Sequence, residues 1–143
     1  MSLKTLYKTD PAANTGGVFV SYPKNSDGST PRFKLSRMSQ AVNKKYAKEM
    51  ETRTRPFRRE LELNTLDTDV GDELMLDVFI ASILLGWEHV QPNDDGEELE
   101  FNSENAKKFL GDPEWAELLD DLKERAKDAS NFRLAQMEVE AKN

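Results

Sequence analysis

The stretch Val78-Phe79-Ile80-Ala81-Ser82-Ile83-Leu84-Leu85, followed by Gly86, decides the fold of this chain. It is the longest apolar run, interrupted only by Ser82, and falls far short of the roughly 20 residues that a membrane span needs. It therefore reads as the second half of a buried core helix. That helix starts near Asp67 or Thr68, where a short polar side chain caps the first free N–H groups, and runs through Leu74 and Met75. Apolar residues surround most of its second half, so neighbours must cover more than one face. Gly86 suits the left-handed residue that ends such a helix.

Upstream, Val18-Phe19-Val20-Ser21-Tyr22 and Arg32-Phe33-Lys34-Leu35 carry strand signals, and the turn chemistry of Pro23–Ser29 between them makes a β-hairpin. From Ser36 the apolar period becomes helical, with Met38, Ala41, Val42, Tyr46 and Met50 on one face, until Pro56 breaks it. The segment Phe57–Leu63 fits a short helix or a strand. Residues 1–16 hold Pro11, Asn14, Gly16 and Gly17-flanking turn signals with little apolar patterning, and read as a flexible N-terminal arm.

Downstream, Trp87–Val90 and Glu98–Phe101 flank an acidic turn at Gly96 and read as a small second hairpin. Ser103 opens a short helix closed by Gly111. Asp112-Pro113 then starts another, whose stripe of Trp115, Leu118, Leu119, Leu122, Ala126 and Ala129 continues weakly through Phe132, Ala135 and Val139. The expected fold is thus α+β and mainly α-helical: an N-terminal β-hairpin, about four to five helices and a small second hairpin. At 143 residues one core is expected, with residues 17–143 forming a single compact domain.

Charge divides this domain. Residues 1–59 carry a formal +9 and residues 60–143 a formal −16, which give the net −7. The basic part of the domain is residues 17–59 and the acidic helical part is residues 60–143. Either the two halves fold onto each other and neutralise locally, or each presents its sign to a partner. Lys44, Lys45, Lys48, Arg55, Arg58 and Arg59 form the candidate basic docking face. Glu49 and Glu51 within it, and the acidic second half, argue against nucleic acid, whose recognition rests on neutralising many phosphates.

Chemistry is sparse. The chain has no cysteine and one histidine, His89, which leaves no thiolate site and no His-rich zinc site. The turn around Gly96 fails as a calcium loop, because Gln91 and Asn102 stand where the first and twelfth ligands belong. No phosphate-cradling glycine loop and no G-x-S-x-G elbow is present. No enzyme activity, metal or cofactor is expected. Residues 1–10 lack the apolar core of a secretory signal.

The second half has an order of signals that resembles a known family. Gly86-Trp87-Glu88-His89-Val90 ends the buried helix, and an acidic turn leads to Leu99-Glu100-Phe101. Glu104-Asn105-Ala106, Phe109-Leu110, Asp112-Pro113-Glu114-Trp115 and Ala126–Arg133 follow. Together with Arg37-Met38-Ser39, Asn43-Lys44-Lys45-Tyr46 and Arg55–Arg59, this looks like the tail assembly chaperone family of long-tailed bacteriophages, over about residues 31–143. The resemblance implies a small acidic helical protein in the cytoplasm of the infected host. Such a protein keeps the tape measure protein and/or the major tail protein soluble during assembly, with a homo-oligomer as one possible state. It further implies Trp87, Phe101, Phe109, Leu110, Trp115 and Phe132 as candidate partner contacts. The basic first half with its hairpin departs from the pattern and leaves a structural virion subunit as the alternative.

Overall fold

The computed structural model describes residues 2–133. Three antiparallel strands, β1 (Val18–Ser21), β2 (Arg32–Leu35) and β3 (Leu84–Glu88), lie in the order β1-β2-β3. The described residues also form seven α-helices: α1 (Leu3–Tyr7), α2 (Pro11–Gly16), α3 (Lys44–Thr54), α4 (Arg58–Glu62), α5 (Thr68–Ser82), α6 (Ser103–Leu110) and α7 (Ala116–Lys127). The fold is mixed α+β and mainly helical, as the periodicities imply.

The decisive stretch behaves in two ways. Asp67 caps α5 by accepting from the amides of Asp69 and Val70, and Leu74, Leu76, Val78 and Phe79 are buried along it. The helix stops at Ser82, four residues before Gly86, and the remainder becomes β3. The reason is tertiary: β1 occupies only one edge of β2, and the other edge pairs Arg32 with Glu88, Phe33 with Trp87 and Lys34 with Gly86. A continuing helix would leave that edge open. Local propensity loses to strand pairing here.

The same pairing removes the expected second hairpin. Trp87 belongs to the first sheet, and the chain returning at Leu99 keeps two bonds to it, Leu99 N–H to the Val90 carbonyl at 2.8 Å and Trp87 Nε1 to the Leu99 carbonyl at 2.7 Å. The helix expected from Ser36 begins eight residues later, at Lys44. Between them the amides of Ser36, Arg37 and Met38 donate to the carbonyls of Ile83, Asn14 and Ala126, so this segment's bonds cross to three other elements and cannot also form a helix. A buried polar chain locks the junction: Ser36 Oγ donates to the Ser82 carbonyl at 2.7 Å, and Asn43 Nδ2 donates to Ser36 Oγ at 3.0 Å.

Pro56 sits in a single turn of 3-10 helix, Arg55–Phe57, and the ambiguous segment beyond it is helix α4. Residues 1–16, read from sequence as a flexible arm, fold instead into α1 and α2. Asp10 caps α2 ahead of Pro11, and Ala13 and Asn14 are buried. The Asp10 amide donates to the Phe132 carbonyl at 2.8 Å. At the far end α7 stops at Asp128, and a 3-10 turn, Ala129–Phe132, swings Phe132 into the core. Ala135 and Val139 lie outside the described residues.

Candidate functional site

Four of the six aromatic and apolar residues picked out as partner contacts are core. Phe132 has no exposed surface, Leu110 is 2 % exposed, and Phe109 and Trp87 are buried nearly as well. Phe101 and Trp115 are half-buried and pack on the same cluster. Five of the aromatics form a ladder with Phe33 at its sheet end: Phe33 to Trp87 at 5.9 Å, Trp87 to Phe101 at 4.9 Å and to Phe109 at 5.8 Å, and Phe109 to Trp115 at 5.0 Å. Edge-on contacts of this kind favour a fixed packing over an open surface. Their role is to hold α6 and α7 against the sheet. Helical spacing alone could not tell core from interface, since both need large apolar side chains.

The basic residues fare differently. Lys44, Lys45, Lys48, Arg55, Arg58 and Arg59 are all exposed on α3, the 3-10 turn and α4. Arg53 pairs with Glu49, while Arg55 and Arg58 share Glu51. Lys44, Lys45, Lys48 and Arg59 make no ion pair among the described residues. The wider question of neutralisation has a clear answer: of ten ion pairs among the described residues, only Arg32–Glu88 joins the basic half to the acidic half. Ion pairing therefore runs mostly within each half.

Where the acidic charge meets apolar surface, a groove of about 1010 Å³ opens between the first half of α5, the end of α6 and the start of α7. Its apolar wall comes from Met75, Leu76, Leu110, Pro113, Ala116 and Leu119. Asp69, Asp72 and Glu73 stand on one rim, and Asp112 and Asp120 on the other. Lys107, on the α6 side, is drawn to Glu73 at 3.0 Å and Asp77 at 3.1 Å. Those two hydrogen-bonded carboxylates hold its ammonium above the usual lysine range. Asp69, Asp72 and Asp120 make no ion pair among the described residues, and with Lys108 and Lys123 also lining the groove its rim carries five carboxylates against three ammonium groups.

Only Leu110 among the sequence-picked contacts reaches this groove. Its other walls were legible in part: Ala116, Leu119, Asp120 and Lys123 are spaced as a second helical stripe beside the Trp115–Leu122 stripe that enters the core. What the sequence could not supply is which face of α5 lies beside α6 and α7 to line the groove.

A family model described as YdaY prophage protein matches residues 41–143. The chain belongs to the YdaY prophage protein family. The family places it among phage-derived proteins, in line with the phage resemblance. The matched region of this YdaY family member holds the whole basic face, the whole groove and β3, and leaves out α1, α2, β1 and β2. No curated protein and no solved structure gives a significant match.

Proposed function

We propose that this YdaY family protein is a phage tail assembly chaperone that takes an amphipathic helix of the tape measure protein, and/or of the major tail protein, into the groove between α5, α6 and α7. The observation that carries the reading is the pairing of an apolar wall with an acidic rim. A long tail protein with apolar helical stripes aggregates when alone. A groove of this kind covers one such stripe by helix-in-groove docking, while the surrounding carboxylates keep the complex soluble. Its volume stands at the upper limit of small-molecule sites, and its rim is charged rather than enclosed, which favours a peptide helix over a metabolite.

Among the described residues no helix is long and apolar enough to cross a membrane, and the proposed place of action is the cytoplasm of the infected host. Nucleic acid is not the proposed partner, because Glu49 and Glu51 already engage Arg53, Arg55 and Arg58 on the basic face. Co-expression with the tape measure protein of the same prophage tests the reading. Soluble yield of that protein should rise and the two should co-purify. Mass spectrometry of finished particles should find this chain absent or trace; a stoichiometric, ring-like copy number would replace the chaperone with a structural virion subunit.

A further inference from the structure

Helix α1 presents an uncovered apolar face. Residues 2–8 are all exposed, and Leu3 at 75 %, Tyr7 at 62 % and Leu6 at 40 % are open to solvent. Lys4 and Lys8 stand among them, with no acid within residues 2–8. Neither lysine makes an ion pair among the described residues. A helix of five residues is well below the roughly 12–15 that hold together alone in water, and its apolar side chains gain free energy only when something covers them. The chain itself returns to this face. Thr9 and Arg133 form an antiparallel bridge, the Asp10 amide donates to the Phe132 carbonyl at 2.8 Å, and the Arg133 guanidinium lies 5.2 Å from the centre of the Tyr7 ring. Partners in an antiparallel pair run in opposite directions. From Asp10 beside Phe132 to Thr9 beside Arg133, the chain is therefore heading for Lys8, Tyr7 and the rest of α1.

We propose that residues 134–143 dock on the exposed face of α1 in the same copy. They supply Leu134, Met137 and Val139 as apolar side chains, and Glu138 and Glu140 against the single Lys142. The apolar side chains would cover Leu3, Leu6 and Tyr7, and the two carboxylates would face Lys4 and Lys8. Reach is ample, since the chain from Arg133 to Glu138 spans up to about 17 Å when extended, while Lys8 to Lys4 is about 6 Å of helix. Direction and tether select this occupant ahead of charge. The groove rim is acidic too, but it is studded with Lys107, Lys108 and Lys123, and a segment joined to Arg133 meets α1 at the high effective concentration of an intramolecular ligand. The contact covers Leu3, the most exposed large apolar side chain among the described residues. It is independent of what the groove between α5, α6 and α7 binds.

The chain has no cysteine, so a nitroxide attached to Ala141→Cys of the full chain reports where this segment lies. Paramagnetic broadening, read by NMR on labelled chain diluted with unlabelled chain, should be stronger at the Leu3 and Lys4 amides than at Thr9. A loose tether would give the reverse order, because Thr9 is nearer to Arg133. Leu134→Asp with Met137→Asp should abolish the broadening of α1. Glu138→Lys with Glu140→Lys should weaken it, as should high salt. Adding Lys4→Glu and Lys8→Glu to that charge-reversed chain should restore it, which a misfolded α1 would not do. Broadening that is strongest at Thr9, that falls on the groove amides around Met75 and Leu119, or that passes only between copies would overturn the proposal. So would an α1 signal that survives Leu134→Asp with Met137→Asp, or a charge swap that restores nothing.

Discussion

The basic face of α3 and α4 and the acidic groove of α5 to α7 hold opposite charge, and they differ more in shape than in sign. On α3 the cations radiate from a convex helix whose buried residue, Tyr46, points inward, so charge there has little apolar surface beneath it. In the groove the carboxylates border Leu76 and Leu110, which are almost fully buried, and Met75 and Leu119, which are half open. Charge on a convex helix steers encounters and is screened by salt. Charge around an apolar hollow adds orientation to a surface that gains free energy when covered. On the function proposed above, docking falls to the groove rather than to the convex face.

A fully buried side chain sets the largest effect by which that contrast can be broken. Phe132→Ala removes a side chain with no exposed surface and should cost about 3–5 kcal/mol in urea unfolding, whereas Lys45→Ala on the convex face should stay within about 0.5 kcal/mol. A similar cost at both positions would mean the basic face is packed rather than solvated. Gly17 gives the next effect. Its φ of +89° and the 2.7 Å approach of the Leu85 side chain to an added Cβ make Gly17→Ala destabilising by about 1–2 kcal/mol, read as a fall in Tm. Tyr22→Phe follows, because the Tyr22 hydroxyl donates to Asp121 at 2.5 Å and pins α7 to the end of β1. Burial, then this bond, pushes the Tyr22 phenol well above its usual range. Losing the bond should cost about 1 kcal/mol and leave groove binding unchanged.

The smallest effects are in pH. The Ser29 hydroxyl and amide, with Gln91, hold the Asp27 carboxyl down to about 2 against an ordinary 3.8. A carboxyl lowered on folding contributes stability above pH 3.8 that is lost as the pH falls toward 2. The Tm difference between the wild-type chain and Asp27→Asn should therefore be largest at neutral pH and shrink to nothing near pH 2. His89, bonded to Glu98 at 2.9 Å, is raised above 6.5. Its contribution is full below 6.5 and fades as pH rises through the raised value. Proton NMR of this sole histidine should show the raised midpoint, and Glu98→Gln should return it toward 6.5.

The exposed basic residues were fully legible in the sequence, because solvated charge needs no knowledge of what packs where. The start of α5, the opening of α6 at Ser103, the Asp112 cap of the Pro113–Trp115 turn that leads into α7, and the β1–β2 hairpin were legible for the same reason: each rests on bonds between near neighbours. The conversion of Leu84–Glu88 from helix end to third strand was not, since it depends on an edge of β2 fifty residues away. Reading that stretch as a helix end placed Trp87 on a second hairpin, whereas the partner contacts at Phe101 and Phe109 came from the family resemblance and pack on the core. The helices of residues 1–16 were missed because their anchor is the distant Phe132 carbonyl.

Hydrogen exchange on the chain in complex with the tape measure protein tests the central claim most directly. Covering the groove should slow exchange of amides in the first half of α5 and the start of α7, around Met75 and Leu119, and leave α3 from Lys44 to Thr54 at its free rate. Protection confined to α3 and the β1–β2 hairpin, with α5 and α7 unchanged, would contradict the account and move the binding surface to the basic face.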